Sequence, residues 1–169
     1  MKIIFKFPQQ LLTAIHNDLD RSHRFAAERV GFVRCESTST ANGDWEIVVR
    51  QYFPIADEHY IDDPRVGAMM GPAAIRTALQ IAYQHPVSMF HIHRHDHRGN
   101  PRFSPIDARE NARFIPDFWK VSPKLPHGAI VLSLNSMFGM CWIQPGIAPV
   151  PINRFEIQQT PLSNLRGIA

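Results

Sequence analysis

The stretch from Val87 to Asp107 constrains the fold more than any other part of the chain. An apolar run, Val87-Ser-Met-Phe90, leads into His91, His93, His95 and His97 at every second position. Gly99-Asn-Pro101 follows, and then Ser104-Pro-Ile-Asp107. A β-strand alternates its side chains, so His91 and His93 share one face while Ile92 takes the other. Gly-Asn-Pro breaks regular structure. Ser104 as N-cap, Pro105 at the first helical position and an acid two residues later read as a helix start. The segment therefore predicts a buried strand, a loop and a helix N-terminus in succession. Imidazoles near a carboxylate are also what a borderline cation such as zinc binds.

The remainder of the chain predicts an α/β fold. Ile3, Phe5 and Phe7 alternate with Lys2, Ile4 and Lys6 as in a half-buried strand, and Leu11, Ile15 and Leu19 mark a helix after Pro8 that runs to about Arg21. Ala27–Cys35 and the alternating Trp45, Ile47 and Val49 form a hairpin around the polar turn Ser37–Gly43. Pro54–Gly71 reads as a long surface loop of the kind that is often functional. Pro72 opens a helix with Ile75, Leu79 and Ala82 inward, ending by His85-Pro86. Val87–His91 is then a short buried strand, followed by a helix between Pro105 and Pro116. Ala129–Leu134 is a central apolar strand, and Phe138–Ile143 and Ile152–Ile157 are further strands. Hairpins outnumber βαβ units, so a single mixed β-sheet flanked by helices fits best.

With 169 residues, 44% of them hydrophobic and 20% charged, the chain is expected to form one domain over residues 1–169. It contains no apolar run of membrane-spanning length. Lys6 interrupts the apolar N-terminal stretch and no small-residue cleavage site follows, which predicts a cytoplasmic protein. Cys35 and Cys141 stand far apart in apolar segments and are expected to be buried free thiols rather than ligands. A net charge of +3 does not by itself favour nucleic acid, although Arg94, Arg98 and Arg102 give the histidine segment a basic rim.

Within the histidine segment, His91 and His93 can reach one cation. With Asp107 they form a three-ligand set whose fourth position is left to water, as in catalytic rather than structural zinc sites. His95 and His97 fall where strand character fades after Arg94, and are assigned behind the ligands or toward solvent. The plainer alternative is that Ser104 and Asp107 only cap a helix and the histidines form a polar turn. The chain contains no H-E-x-x-H, and the H-x-H-x-D-H pattern fails because Ile92 and Arg94 stand where two of its histidines belong.

These residues resemble the JAB/MPN (JAMM) metalloprotease family, whose signature is an upstream Glu, then H-x-H, seven residues, and S-x-x-D. The branch most similar is the prokaryotic one linked to ubiquitin-like modification systems. His91-Ile-His93 supplies the H-x-H, Ser104-Pro-Ile-Asp107 the S-x-x-D, and Glu28-Arg-Val-Gly31 the E-x-x-G that carries the upstream Glu. The resemblance covers about residues 8 to 145. Ten residues separate His93 from Ser104; the pair His93/His95 would leave eight and His95/His97 six. His91/His93 are preferred because they directly follow the apolar strand, and the three extra residues are read as a loop insertion carrying His95 and His97.

The resemblance implies an MPN/JAB (cytidine-deaminase-like) architecture and a Zn2+ cofactor held by His91, His93 and Asp107. It further implies Glu28 as general base and Ser104 as oxyanion donor. The implied substrate is a ubiquitin-like protein or its conjugates, cut at a target lysine or at a C-terminal extension; position alone makes the Pro54–Gly71 loop either one wall of a substrate groove or a surface loop without function. The alternative is a catalytically inactive MPN-type scaffold that binds partners. A JAB-like protein engaged in DNA transactions is a third possibility, which the charge does not encourage.

Overall fold

The structure is a computed structural model that describes residues 1–159. Eight strands form one curled mixed sheet, joined by three α-helices in the order β1 (Ile3–Pro8), α1 (Gln9–Leu19), β2 (Val30–Ser39), β3 (Trp45–Pro54), α2 (Pro72–Gln84), β4 (Ser88–Arg94), α3 (Pro105–Phe114), β5 (His127–Leu132), β6 (Met137–Trp142), β7 (Val150–Pro151) and β8 (Arg154–Gln158). Across the sheet the order is β7-β6-β5-β4-β2-β3-β1-β8. β1 runs parallel to β3 and β8, and β4 runs parallel to β5; the other neighbours are antiparallel. The expected hairpin is β2–β3.

Strand alternation divides the core into two layers. Ile3, Phe5 and Phe7 of β1 and Phe90 and Ile92 of β4 face α1, whose Leu12, Ile15 and Leu19 are buried against them. Met89 points to the other face, among Ala74, Ala78 and Ala82 of α2 and Phe114 and Phe118 beyond it. The three alanines let α2 lie close to the sheet. Gly139 meets a similar demand where the curl brings β6 against the chain leading into β8. Its carbonyl accepts from Ile152 N at 2.9 Å, and a side-chain carbon there would lie 2.6 Å from the Ile152 side chain.

Several boundaries differ from the sequence expectation, and the ladder explains two of them. β4 is longer than Val87–His91 because Ile92, His93 and Arg94 pair with Ile130, Val131 and Leu132 of β5. β5 starts at His127 because His127 and Gly128 pair with Trp142 and Cys141. β2 begins at Val30 rather than Ala27, and extends to Ser39, which narrows the expected turn to residues 40–44. α1 stops at Leu19. The 54–71 region keeps Pro54 in β3 and contains a 3-10 turn, Asp57–His59, and a bridge between Tyr60 and Met70. Among the described residues no helix is long and apolar enough to cross a membrane.

Candidate metal centre

The C-terminal end of β4 carries the site. His91 and His93 share the face opposite Ile92, as alternation requires. That alternation does not stop at Arg94, because His95 N donates to Leu132 O at 2.9 Å and continues the β4–β5 ladder by one step. His95 therefore projects on the same side as His93, and their Nε2 atoms lie 3.2 Å apart.

Asp107 arrives from the start of α3. Ser104 Oγ accepts from Asp107 N at 3.1 Å, and Asp107 Oδ2 accepts from Ser104 N at 2.8 Å, so the two form a reciprocal capping box. Capping of this kind stabilises a helix by about 1 kcal/mol. It also locks the carboxylate in place, with the same Oδ2 lying 3.5 Å from His93 Nε2 and 3.6 Å from His95 Nε2. The cap reading and the ligand reading thus describe one geometry. Ser104 Oγ accepts a bond through a lone pair, and its own hydrogen remains available to donate.

Glu28 completes the group through sheet register. β2 and β4 are antiparallel with Val30 opposite His93 and Phe32 opposite His91. The same register carried two residues outward sets Glu28 opposite His95. One carboxylate oxygen of Glu28 and one ring nitrogen from each of His93 and His95 lie within 4.8 Å of one another. Glu28 precedes the strand, and two contacts hold it there. Gly67 O accepts from both Ala27 N, at 2.8 Å, and Glu28 N, at 3.1 Å. On the other flank, buried Arg29 donates to Arg21 O, Ser22 O and Asp57 Oδ1, each at 2.8 Å.

The histidines drawn together beside Asp107 are therefore His93 and His95 rather than the expected pair His91 and His93. His93 is paired with His95, and His91 lies one step deeper with both ring nitrogens buried. The spacing to Ser104 drops to eight residues. His97 is exposed, its Nδ1 2.9 Å from Arg98 O, in a loop tied to the β5–β6 turn by Gly99 N to Asn135 Oδ1 at 2.7 Å.

Ligand atoms about 2.0–2.2 Å from a tetrahedral cation lie about 3.3–3.6 Å from one another. The three edges His93–His95, His93–Asp107 and His95–Asp107 measure 3.2, 3.5 and 3.6 Å. Two imidazoles and a carboxylate at these separations have the spacing and chemistry of three ligands on one face of such a cation.

The electrostatics favour that role. Burial opposes ionisation of Asp107, but the adjacent His93 ring and the capping contacts with Ser104 outweigh it and hold the carboxyl well below its ordinary value. Burial, reinforced by the neighbouring His93, pushes His91 down to about 3, so its ring is neutral at ordinary pH. Cys35 and Cys141 are buried free thiols whose burial pushes both up, away from ligand chemistry.

The group opens into a cavity of about 720 Å³. Its lining includes Ile61, Val66, Met69 and Met70 of the 61–71 segment, Ile106 and Phe114 of α3, and Glu28, His93, His95, Ser104 and Asp107. The 61–71 segment thus borders the site. Arg29, Gly67 and Asn111 carry no local sequence signal: Arg29 is anchored by Arg21, Ser22 and Asp57, Gly67 meets Glu28 through the backbone, and Asn111 comes from α3. No protein-family profile matches the chain, and no curated protein resembles it at a significant level.

Proposed function

We propose that this protein is a zinc-dependent isopeptidase of the JAMM type, acting on a ubiquitin-like protein joined to a target lysine or carrying a C-terminal extension. The observation that carries the reading is the triangle of His93 Nε2, His95 Nε2 and Asp107 Oδ2, with Glu28 beside it. His93, His95 and Asp107 hold the cation. When bound, zinc supplies a Lewis acid that brings the pKa of water toward about 7 and polarises the scissile carbonyl.

The protein's own residues supply the remainder of the chemistry. Glu28, on the histidine face of the cavity, receives the proton from the attacking water at its carboxylate and delivers it to the departing lysine Nζ. Ser104, fixed by the capping box, donates its hydroxyl hydrogen to the oxygen that gains negative charge. The walls formed by the 61–71 segment and α3 admit an extended chain and limit water around it.

The test is cleavage of a lysine-linked ubiquitin-like conjugate. Hydrolysis should be abolished by a chelator, restored by zinc and lost in Glu28→Gln. Hydrolysis indifferent to both treatments would refute the mechanism, and stoichiometric zinc without hydrolysis would favour the scaffold reading.

A further inference from the structure

Beneath the cluster lie four buried polar atoms with no hydrogen-bond partner among the described residues: Nδ1 and Nε2 of His91, Nδ1 of His93 and Nδ2 of Asn111. The three residues are 7%, 1% and 1% exposed, respectively. His91 and His93 are on one face of β4 with ring centroids 5.5 Å apart; Asn111 reaches in from α3 beside His91, and all three border the cavity. Each buried donor or acceptor left unpaired costs about 1–3 kcal/mol. Apolar side chains, such as the Phe32 and Phe114 that flank His91, would fill the same space without that cost.

Resting on the zinc reading above, we propose that His91 and Asn111 are positioning residues for His93. Together with one enclosed water molecule they form a hydrogen-bonded floor that receives His93 Nδ1–H, so that the Nε2 lone pair is held toward His95 and Asp107. The inventory is complementary. His93 Nδ1–H and Asn111 Nδ2 donate, Asn111 Oδ1 accepts, and His91 offers one donor and one acceptor. A water, which does both, closes the set with the two to four bonds typical of an enclosed water. An imidazole that binds a cation needs its other N–H fixed in this way, and losing the outer partner lowers metal affinity about 10–100-fold.

The experiment combines histidine tautomer assignment by 15N NMR on the metal-free protein with zinc affinity from competition against a chelator. Asn111→Leu and His91→Phe remove the floor; His91→Gln keeps a donor and an acceptor. In the wild type, His93 should carry its proton on Nδ1. In Asn111→Leu and His91→Phe that preference should disappear and zinc affinity should fall about 10–100-fold, with the thermal midpoint unchanged or raised. His91→Gln should stay within a few-fold of wild type. If His93 is protonated on Nε2 in the wild type, or if tautomer and affinity are untouched in both floor variants, the inference is overturned. If the tautomer behaves as stated but zinc does not bind, the floor stands and the zinc reading falls.

Discussion

His95 donates its backbone N–H to the carbonyl of Leu132 at 2.9 Å, one step past the Arg94–Leu132 pair that ends the β4–β5 ladder. That bond turns the His95 imidazole toward His93, whereas His97, two residues on, faces solvent. His95→Ala should lower zinc affinity by at least the roughly 100-fold that marks the upper range for outer partners, and His97→Ala should leave it unchanged. Competition against a chromogenic chelator measures both; the reverse order would remove His95 from the site.

Glu28 is predicted to act on protons and not to hold the cation. Glu28→Gln preserves shape and hydrogen-bonding reach but cannot accept a proton. It should retain stoichiometric zinc by elemental analysis while turnover falls about 10²–10⁴-fold, the range for a positioned general base. Loss of zinc together with turnover would make Glu28 a ligand.

Gly67 governs where that carboxylate sits. A Cβ at Gly67 would come within 2.9 Å of Glu28 Cδ. Gly67→Ala should therefore displace the base and reduce turnover, on the order of 100-fold for a shift near 1 Å, with zinc content unchanged. Full activity in this variant would show that the 61–71 segment yields freely and does not set the geometry of the base.

The histidines buried on this side of the sheet make stability depend on pH. Burial lowers His127 to about 4 from 6.5; Met89 N donates to its Nδ1 at 3.1 Å, and its Nε2 faces Ser122 O at 3.0 Å. With the folded value depressed, the neutral ring's contribution is complete above 6.5. As pH falls below 6.5 the unfolded chain takes up the proton first, and stability declines until the folded value is reached. His91, lowered to about 3, extends the decline further into acid. Urea midpoints measured from pH 7.5 to 4 should fall, with a shallower slope in His127→Gln. Equal slopes in the two proteins would contradict the assignment.

Much of the fold was legible in the sequence because its signals are local. Alternating Ile3, Phe5 and Phe7, the Ser104-Pro105 cap and Pro72 at a helix start each mark their element without reference to the rest of the chain. Of the site, His93, Asp107, Ser104 and Glu28 were identifiable by motif, and the structure brings them together. Which histidine stands beside His93 and Asp107 was not legible, since it turns on whether the strand outlasts Arg94. That is decided by a bond to Leu132, 37 residues away in sequence and added by a parallel neighbour. Gly67 and Arg29 were invisible for the same reason: their roles exist only once Arg29 is anchored by Arg21, Ser22 and Asp57 and Gly67 meets Glu28 through the backbone.

The most direct measurement is anomalous diffraction at the zinc edge from crystals of the zinc-loaded protein. The account predicts one peak, about 2.0–2.2 Å from each of His93 Nε2, His95 Nε2 and Asp107 Oδ2, with Glu28 outside bonding distance. A peak bound by His91 or His97 in place of His95, or none in that corner of the cavity, would contradict it.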